Sequence, residues 1–242
     1  MPYQLNFILG LLMGDGSFQI NPWKKKYLQY RVIIKLKDHP ENILMLQNIR
    51  TQYKIGTINI TSGFVIWAIN DKKQVRSFLS LIYNNKLLNL KVKTKTKVLQ
   101  MIYAIDNNIS YNEYQYLKKL TIWPFQIQTD DSIVYTFDNN WKYWLAGFIE
   151  AEGCFSIRRN GNQSFSIAQK DDKIIIELIK NYFSLPNTIK EKVNKLYVIE
   201  TYNLRSCLLI IDYLTEYKLQ GQKKVSFQLW MNHVLEKKSN KV

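Results

Sequence analysis

Two acids, Asp15 and Glu152, each stand just before a glycine at the end of an apolar, glycine-containing run. The first run reads ILGLLMGDGSFQI, from Ile8 to Ile20, and the second reads LAGFIEAEGCFSI, from Leu145 to Ile157. Aligned without gaps, Gly10 meets Gly147, Asp15 meets Glu152, Gly16 meets Gly153 and Phe18 meets Phe155. An acid at the same place in two copies of one motif suggests a paired-carboxylate site. Two such groups close together repel each other and need protons or cations. Hard oxygen ligands favour magnesium, which binds through one or two carboxylates and keeps several waters. The backbone carbonyls of Gly14 and Ala151 are candidate further ligands.

The elements that must position these acids follow from the spacing. If Phe7–Gly14 is a helix, Gly10 and Gly14 lie on one face, one turn apart. Gly147 and Ala151 do the same in the second copy. Small residues at this spacing let two helix backbones approach closely. That contact would compensate the roughly 1 kcal/mol that a glycine costs inside a helix relative to alanine. Gly16 and Gly153 suit the left-handed position that ends a helix. Helices packed side by side in parallel would bring both acids to coinciding, electrically negative ends. One such run alone reads equally well as a packed helix with a cap; the repeat favours a site.

The repeat extends past the motif. Each half reads helix-strand-strand-helix-strand-strand-helix. IKLKDHPENILMLQNI lies opposite SIAQKDDKIIIELIKNYF, IGTINI and FVIWAI form a strand pair, and NTIKEKV and LYVIETY are their counterparts. The expected fold is α+β, with two pseudo-symmetric αββαββα halves over residues 1–105 and 141–242. Residues 106–140 read as a linker. It contains Pro124, the acidic QTDDS run (Gln128–Ser132) and a short helix at YNEYQYLKKL.

Both motifs resemble that of the LAGLIDADG homing endonucleases in their single-chain form with two motifs. LAGFIEAEG follows the family pattern closely. In ILGLLMGDG, Met13 replaces the usual acid at the sixth position, Leu9 replaces Ala and Gly14 replaces Ala. The eighth position, which carries catalysis in the family, is acidic in both copies. The resemblance covers nearly the whole chain. It implies halves joined through the motif helices, antiparallel sheets forming a DNA-binding saddle, and a monomer that cuts both strands of a long asymmetric site with short 3′ overhangs. It also implies a divalent metal held by Asp15, Glu152, Gly14 and Ala151, and an intron as the host element. Lys223 resembles the family's basic residue before the last helix, and Lys91 is its approximate first-half counterpart. A lysine near the scissile phosphate can stabilise developing charge. The bland alternative for each is a phosphate contact or a solvated charge.

The strands alternate with period two, so each sheet should have one core face and one open face. Ser17, Gln19, Asn21, Arg31, Lys35, Lys37, Thr57, Asn59 and Thr61 fall on the open parity in the first half. Ser156, Arg158, Ser164, Ser166, Lys170, Lys190 and Lys192 are the candidates in the second. These runs lack carboxylates. Amides suit adenine, while Arg and Lys suit guanine and phosphate. An ordinary solvated sheet face is the competing reading. Gln169 falls on the inward parity, where it could point at the helix ends and position water.

Composition narrows the partner. The 242 residues hold 34 Lys plus Arg against 19 Asp plus Glu, a formal charge of +15. That surplus points to a polyanion, and double-stranded DNA fits best. No run of about 20 apolar residues suggests a membrane span, and FILGLLMG has no basic region before it, unlike a signal peptide. The two cysteines, Cys154 and Cys207, read as reduced thiols of an intracellular protein. With His39 and His233 as the only histidines, zinc sites with Cys/His spacing are excluded. No Gly-rich phosphate loop is present. The abundance of Lys, Asn, Ile and Tyr suggests an AT-rich genome such as a mitochondrion's or another organelle's. Two rival functions share the basic surface: a splicing cofactor that binds intron RNA, and a DNA-binding protein without catalysis. Neither needs paired acids.

Overall fold

The computed structural model describes residues 4–24, 26–120, 123–125 and 135–239. The acidic run Gln128–Ser132 lies outside the described residues. The chain forms two compact units, one over Asp15–Asp38 and Leu46–Thr136, the other over Tyr3–Gly14, His39–Met45 and Phe137–Val242.

In the first unit, β1 (Gly16–Trp23), β2 (Tyr27–Lys37), β3 (Thr57–Thr61) and β4 (Phe64–Ile69) form an antiparallel sheet in the order β1-β2-β4-β3. Alternate residues Phe18 and Ile20 of β1, and Tyr30, Val32 and Ile34 of β2, are buried. The pleat therefore sorts apolar from polar side chains as the sequence pattern requires. The tight turn between β3 and β4 uses Gly63 at φ 84°, a conformation that a Cβ disfavours.

Helix α3 (Lys72–Tyr83) starts where the Asp71 carboxylate accepts the Gln74 N–H, a strong N-cap. A short 3-10 turn, Lys86–Leu90, leads into α4 (Val92–Asp106). Arg76 grips Asp106 through two nitrogens, Nε–Oδ1 2.6 Å and Nη2–Oδ2 2.8 Å, tying α3 to the end of α4. The expected linker helix is present as α5 (Tyr111–Leu120).

The second unit repeats the plan with β5 (Gly153–Ile157), β6 (Gln163–Lys170), β7 (Lys190–Lys192) and β8 (Leu196–Thr201), in the order β5-β6-β8-β7. Its helices include α6 (Asn139–Glu152), α7 (Lys173–Tyr182), α8 (Leu204–Glu216) and α9 (Lys223–Ser239). The helix α2 (Pro40–Tyr53) is divided between the units. Each half thus ends in two helices where the sequence suggested one. Asn84 and Asn85 end α3 and restart the chain in the first half; the Tyr217–Gln222 turn does so in the second.

Helix α1 (Leu5–Asp15) has Phe7 through Met13 all buried. A helix apolar all round belongs inside a protein, and residues 5–14 pack in the second unit. Both cysteines are free, Cys154 exposed and Cys207 buried. Burial pushes the Cys207 thiol up to about 12. Among the described residues no helix is long and apolar enough to cross a membrane.

Candidate active site and nucleic-acid interface

The seam between α1 and α6 is built on glycine. A Cβ on Gly10 would lie 2.0 Å from the Trp144 carbonyl oxygen, and one on Gly147 would lie 1.9 Å from the Phe7 carbonyl oxygen. One turn on, a Cβ on Gly14 would lie 2.2 Å from the Ala151 Cβ. The contacts advance together along both chains, so the helices run parallel. Gly16 and Gly153 do not adopt the expected left-handed conformation. Among the described residues the positive-φ glycines are Gly56, Gly63 and Gly161, and Gly153 is extended at φ −67°, ψ 150°. Its need for glycine is steric instead, because a Cβ there would sit 2.7 Å from the Ile149 carbonyl oxygen.

Asp15 is the last residue of α1 and Glu152 the last of α6. The Glu152 side chain folds over the seam: its Cγ lies 3.2 Å and its Oε1 3.5 Å from the place a Gly14 Cβ would take. Lys223, the first residue of α9, donates from Nζ to the Ala151 carbonyl oxygen. An ammonium ion thus already stands on one of the oxygens expected to face a cation. Among the described residues no cluster of three or more His, Cys, Asp or Glu could hold a metal. Any ion here would rest on one or two carboxylates with carbonyls and water, the coordination magnesium accepts.

A second acid of the same motif copy, Glu150, holds the turn that delivers Lys223. Glu150 is 5% exposed. Its Oε2 accepts the N–H groups of Gln220 and Gly221, both at 2.9 Å, and its Oε1 accepts that of Lys223 at 3.1 Å. Burial raises its pKa above the ordinary carboxylate value. The three backbone N–H groups and the Lys223 charge oppose that rise without cancelling it. From the other side of the turn the buried Asn42 accepts the Gln222 N–H at 2.8 Å. A Cβ on Gly221 would lie 2.6 Å from Asn42 Oδ1 and 2.8 Å from Glu150 Oε1, so a larger residue would push these two acceptors off the turn. Sequence reasoning missed Glu150, Asn42 and Gly221 as positioning residues; the sixth-position acid was the one available signal.

Lys91 stands immediately before α4, where its N–H donates to the Leu88 carbonyl at 3.4 Å. Gln169 is 5% exposed, on the core face of β6 beside Tyr197. Its Nε2 donates to the Lys170 carbonyl at 3.3 Å, and its Oε1 is buried without a hydrogen-bond partner among the described residues.

The strand register gathers the predicted reading residues. In the first sheet Gln19 pairs with Arg31, Lys35 with Ile66 and Ile66 with Asn59, while Lys37 and Thr61 both pair with Phe64. Directly paired residues share a face. Ser17, Gln19, Asn21, Arg31, Lys35, Lys37, Thr57, Asn59 and Thr61 therefore lie on one face. Ser17, Gln19 and Asn21 form a ladder, Gln19 Nε2 to Ser17 Oγ 3.0 Å and Asn21 Nδ2 to Gln19 Oε1 3.2 Å. Arg31 Nε donates to Asn70 Oδ1 at 2.7 Å, and Lys35 Nζ sits 3.8 Å above the Phe64 ring. In the second sheet Ser156 pairs with Ser164, Val198 with both Ala168 and Lys190, and Leu196 with both Lys170 and Lys192. Ser166 lies in the same row, paired with Cys154 and Glu200. Glu200 corrects the expectation of an acid-free face. Ile157, on the core parity of β5, is 46% exposed at the end of its strand.

The LAGLIDADG endonuclease family profile matches residues 8–94 and 145–234, one stretch in each half. This chain belongs to the LAGLIDADG endonuclease family. It is 34% identical to a probable intron-encoded endonuclease of Kluyveromyces lactis, covering 94% of this chain and 64% of that protein. The chain therefore spans a little under two thirds of that relative's length. A probable intron-encoded endonuclease of Dictyostelium citrinum is also 34% identical, with 93% of each chain covered. The crystal structure of the LAGLIDADG meganuclease I-AabMI bound to uncleaved DNA shares the fold, at a TM-score of 0.75 and 20% identity over 99% of this chain and 92% of that one.

Proposed function

We propose that this protein is a site-specific double-strand DNA endonuclease encoded by an intron, with Asp15 and Glu152 holding divalent metal, magnesium by the chemistry of the donors. The observation that carries this reading is the parallel glycine seam, with an acid directly after Gly14 and another directly after Ala151. The names of the two relatives support the same reading, and the charge of +15 supports a duplex as the partner. An organelle is the matching location, since the abundance of Lys, Asn, Ile and Tyr suits an AT-rich genome.

Asp15, Glu152 and the carbonyls of Gly14 and Ala151 would hold the metal. When bound, it supplies charge neutralisation for the acids and Lewis-acid activation for phosphodiester hydrolysis. The protein's own residues do the rest. The two sheet faces hold phosphates and read base edges. Lys223 would leave the Ala151 carbonyl for the scissile phosphate, where an ammonium stabilises developing charge. Gln169 would orient water with its buried amide. Lys91 would serve the first half as Lys223 serves the second.

The test is incubation with a DNA library spanning the intron-free host gene, in magnesium and separately in calcium. Double-strand cutting at one site in magnesium, with binding but no cutting in calcium, is the expected result. Binding without cutting in either ion would leave the DNA-binding rival standing.

A further inference from the structure

Glu200 is an anomaly on the reading face. In a basic protein whose partner is a polyanion, a carboxylate on that face repels phosphate. It is also not left to solvent. Glu200 Oε1 accepts from Arg158 Nη2 at 2.9 Å. The same Nη2 donates to the Tyr202 hydroxyl, and the Arg158 guanidinium lies 4.5 Å from the centre of the Tyr202 ring. Partial burial alone would raise the Glu200 pKa. Hydrogen bonds from Tyr202, Arg158 and Ser164, with the Arg158 charge, outweigh it and hold the carboxylate below its ordinary value. The acid is thus ionised and fixed, while Arg158 and Glu200 keep 49% and 26% of their side-chain surface open.

An exposed ion pair of this kind contributes little to stability, about 0–1 kcal/mol, so folding does not account for it. An ionised carboxylate only accepts hydrogen bonds. In the major groove its partners are amino groups, the cytosine N4 above all. A guanidinium only donates, so its partner is a base-edge acceptor such as guanine O6. Guanine O6 lies beside cytosine N4 in their pair, so a fixed donor next to a fixed acceptor matches that edge. The Nη2 amino group of Arg158 makes both internal bonds, and both two-pronged edges of a guanidinium include it, so Nη1 is left to make a single bond to guanine O6.

We propose that Arg158, Glu200 and Tyr202 form a preassembled reader of a single G·C base pair. Arg158 donates to guanine and Glu200 accepts from the cytosine amino group. Tyr202 fixes both, as a positioning residue. The proposal rests on the DNA-cutting function above.

The experiment is selection from a fully randomised duplex pool in calcium by the intact protein and by Glu200→Ala, Glu200→Gln and Arg158→Ala, followed by sequencing of the bound fraction. The wild type should fix one position as G·C. Glu200→Ala and Arg158→Ala should relax that position about tenfold or more, while the rest of the consensus stands. Glu200→Gln should shift it toward A·T, since glutamine pairs with adenine. Binding of all three to a scrambled duplex separates lost reading from lost affinity: the Glu200 variants should bind it as well as the wild type or more tightly. If the Glu200→Ala consensus equals the wild-type one at every position, the proposal fails while the endonuclease reading survives. If the wild type enriches no sequence, the endonuclease reading falls and takes this proposal with it.

Discussion

At the sixth position of the motif the first copy has Met13 and the second has Glu150. Both side chains are buried, and both belong to the same compact unit. Met13 meets the Trp144 indole, whose Nε1–H points at the methionine sulfur from 3.2 Å. Glu150 instead gathers three backbone N–H groups from the turn before α9. One position thus fills a core gap in one copy and anchors a loop in the other. The eighth position is acidic in both, so an acid two residues from the candidate site is not interchangeable with an acid in it. In the first half Asn85 caps the 3-10 turn by accepting the Leu87 N–H at 3.0 Å, and Lys91 stands at the N-cap of the next helix.

The largest expected effect tests where the copies agree. Asp15→Asn and Glu152→Gln should each slow double-strand cutting by about a thousandfold or more, roughly 4 kcal/mol of barrier. Each should keep DNA binding, or tighten it slightly as a negative charge leaves the phosphate. A gel reporting binding and cutting on one target decides this, and wild-type rates in both variants would remove the acids from the site.

The seam comes next. Gly10→Leu and Gly147→Leu force side chains against backbone and should cost about 3 kcal/mol or more, a melting point lower by about 6–12 °C for a chain of this size. Melts equal to wild type would mean that α1 and α6 do not touch there.

The comparison itself is broken by Glu150→Met, which writes the first copy's residue into the second. The buried Gly221 N–H loses its acceptor, and the half-buried ones of Gln220 and Lys223 turn to water. A loss of about 2–3 kcal/mol is expected, along with slower cutting at unchanged DNA affinity because Lys223 is no longer held. Unchanged cutting would show that the turn needs no anchor. The smallest effect should be Met13→Leu, a volume-conserving swap, below about 1.5 kcal/mol by thermal melt with cutting preserved. A larger loss would give Met13 a role that the Trp144 contact does not explain.

What was legible in the sequence follows from the range of the interactions. Paired glycines four residues apart and alternating strands are local patterns, so the motif helices, both sheets and α5 could be read directly. Which residues share the open parity followed because strand parity fixes them two by two, but Ser164, expected to be open on that parity, is 2% exposed. The split of each closing segment into two helices was hidden, because Asn85 works as a cap only once its neighbours turn, and the Tyr217–Gln222 turn is held by Glu150 and Asn42, 70 and 180 positions away. The Gly153 requirement was read as conformational when it is a matter of crowding by Ile149. Glu200 was overlooked because LYVIETY shows its alternation through its apolar residues; its partner Arg158 is 42 positions away. The bond between Lys223 and Ala151 spans 72 positions, beyond any periodicity.

The placement of α1 also sets an order of events at the ribosome. Asn6 finds its partner Asn140 across 134 positions, at 2.7 Å. At roughly 5–20 residues per second, the first helix waits about 7–27 s for the helix against which it will rest. Throughout that delay a segment buried from Phe7 to Met13 in the finished protein lacks the helix that covers it. Expression of the chain from its second half first, with the α1 segment moved to the end by circular permutation, would shorten the wait.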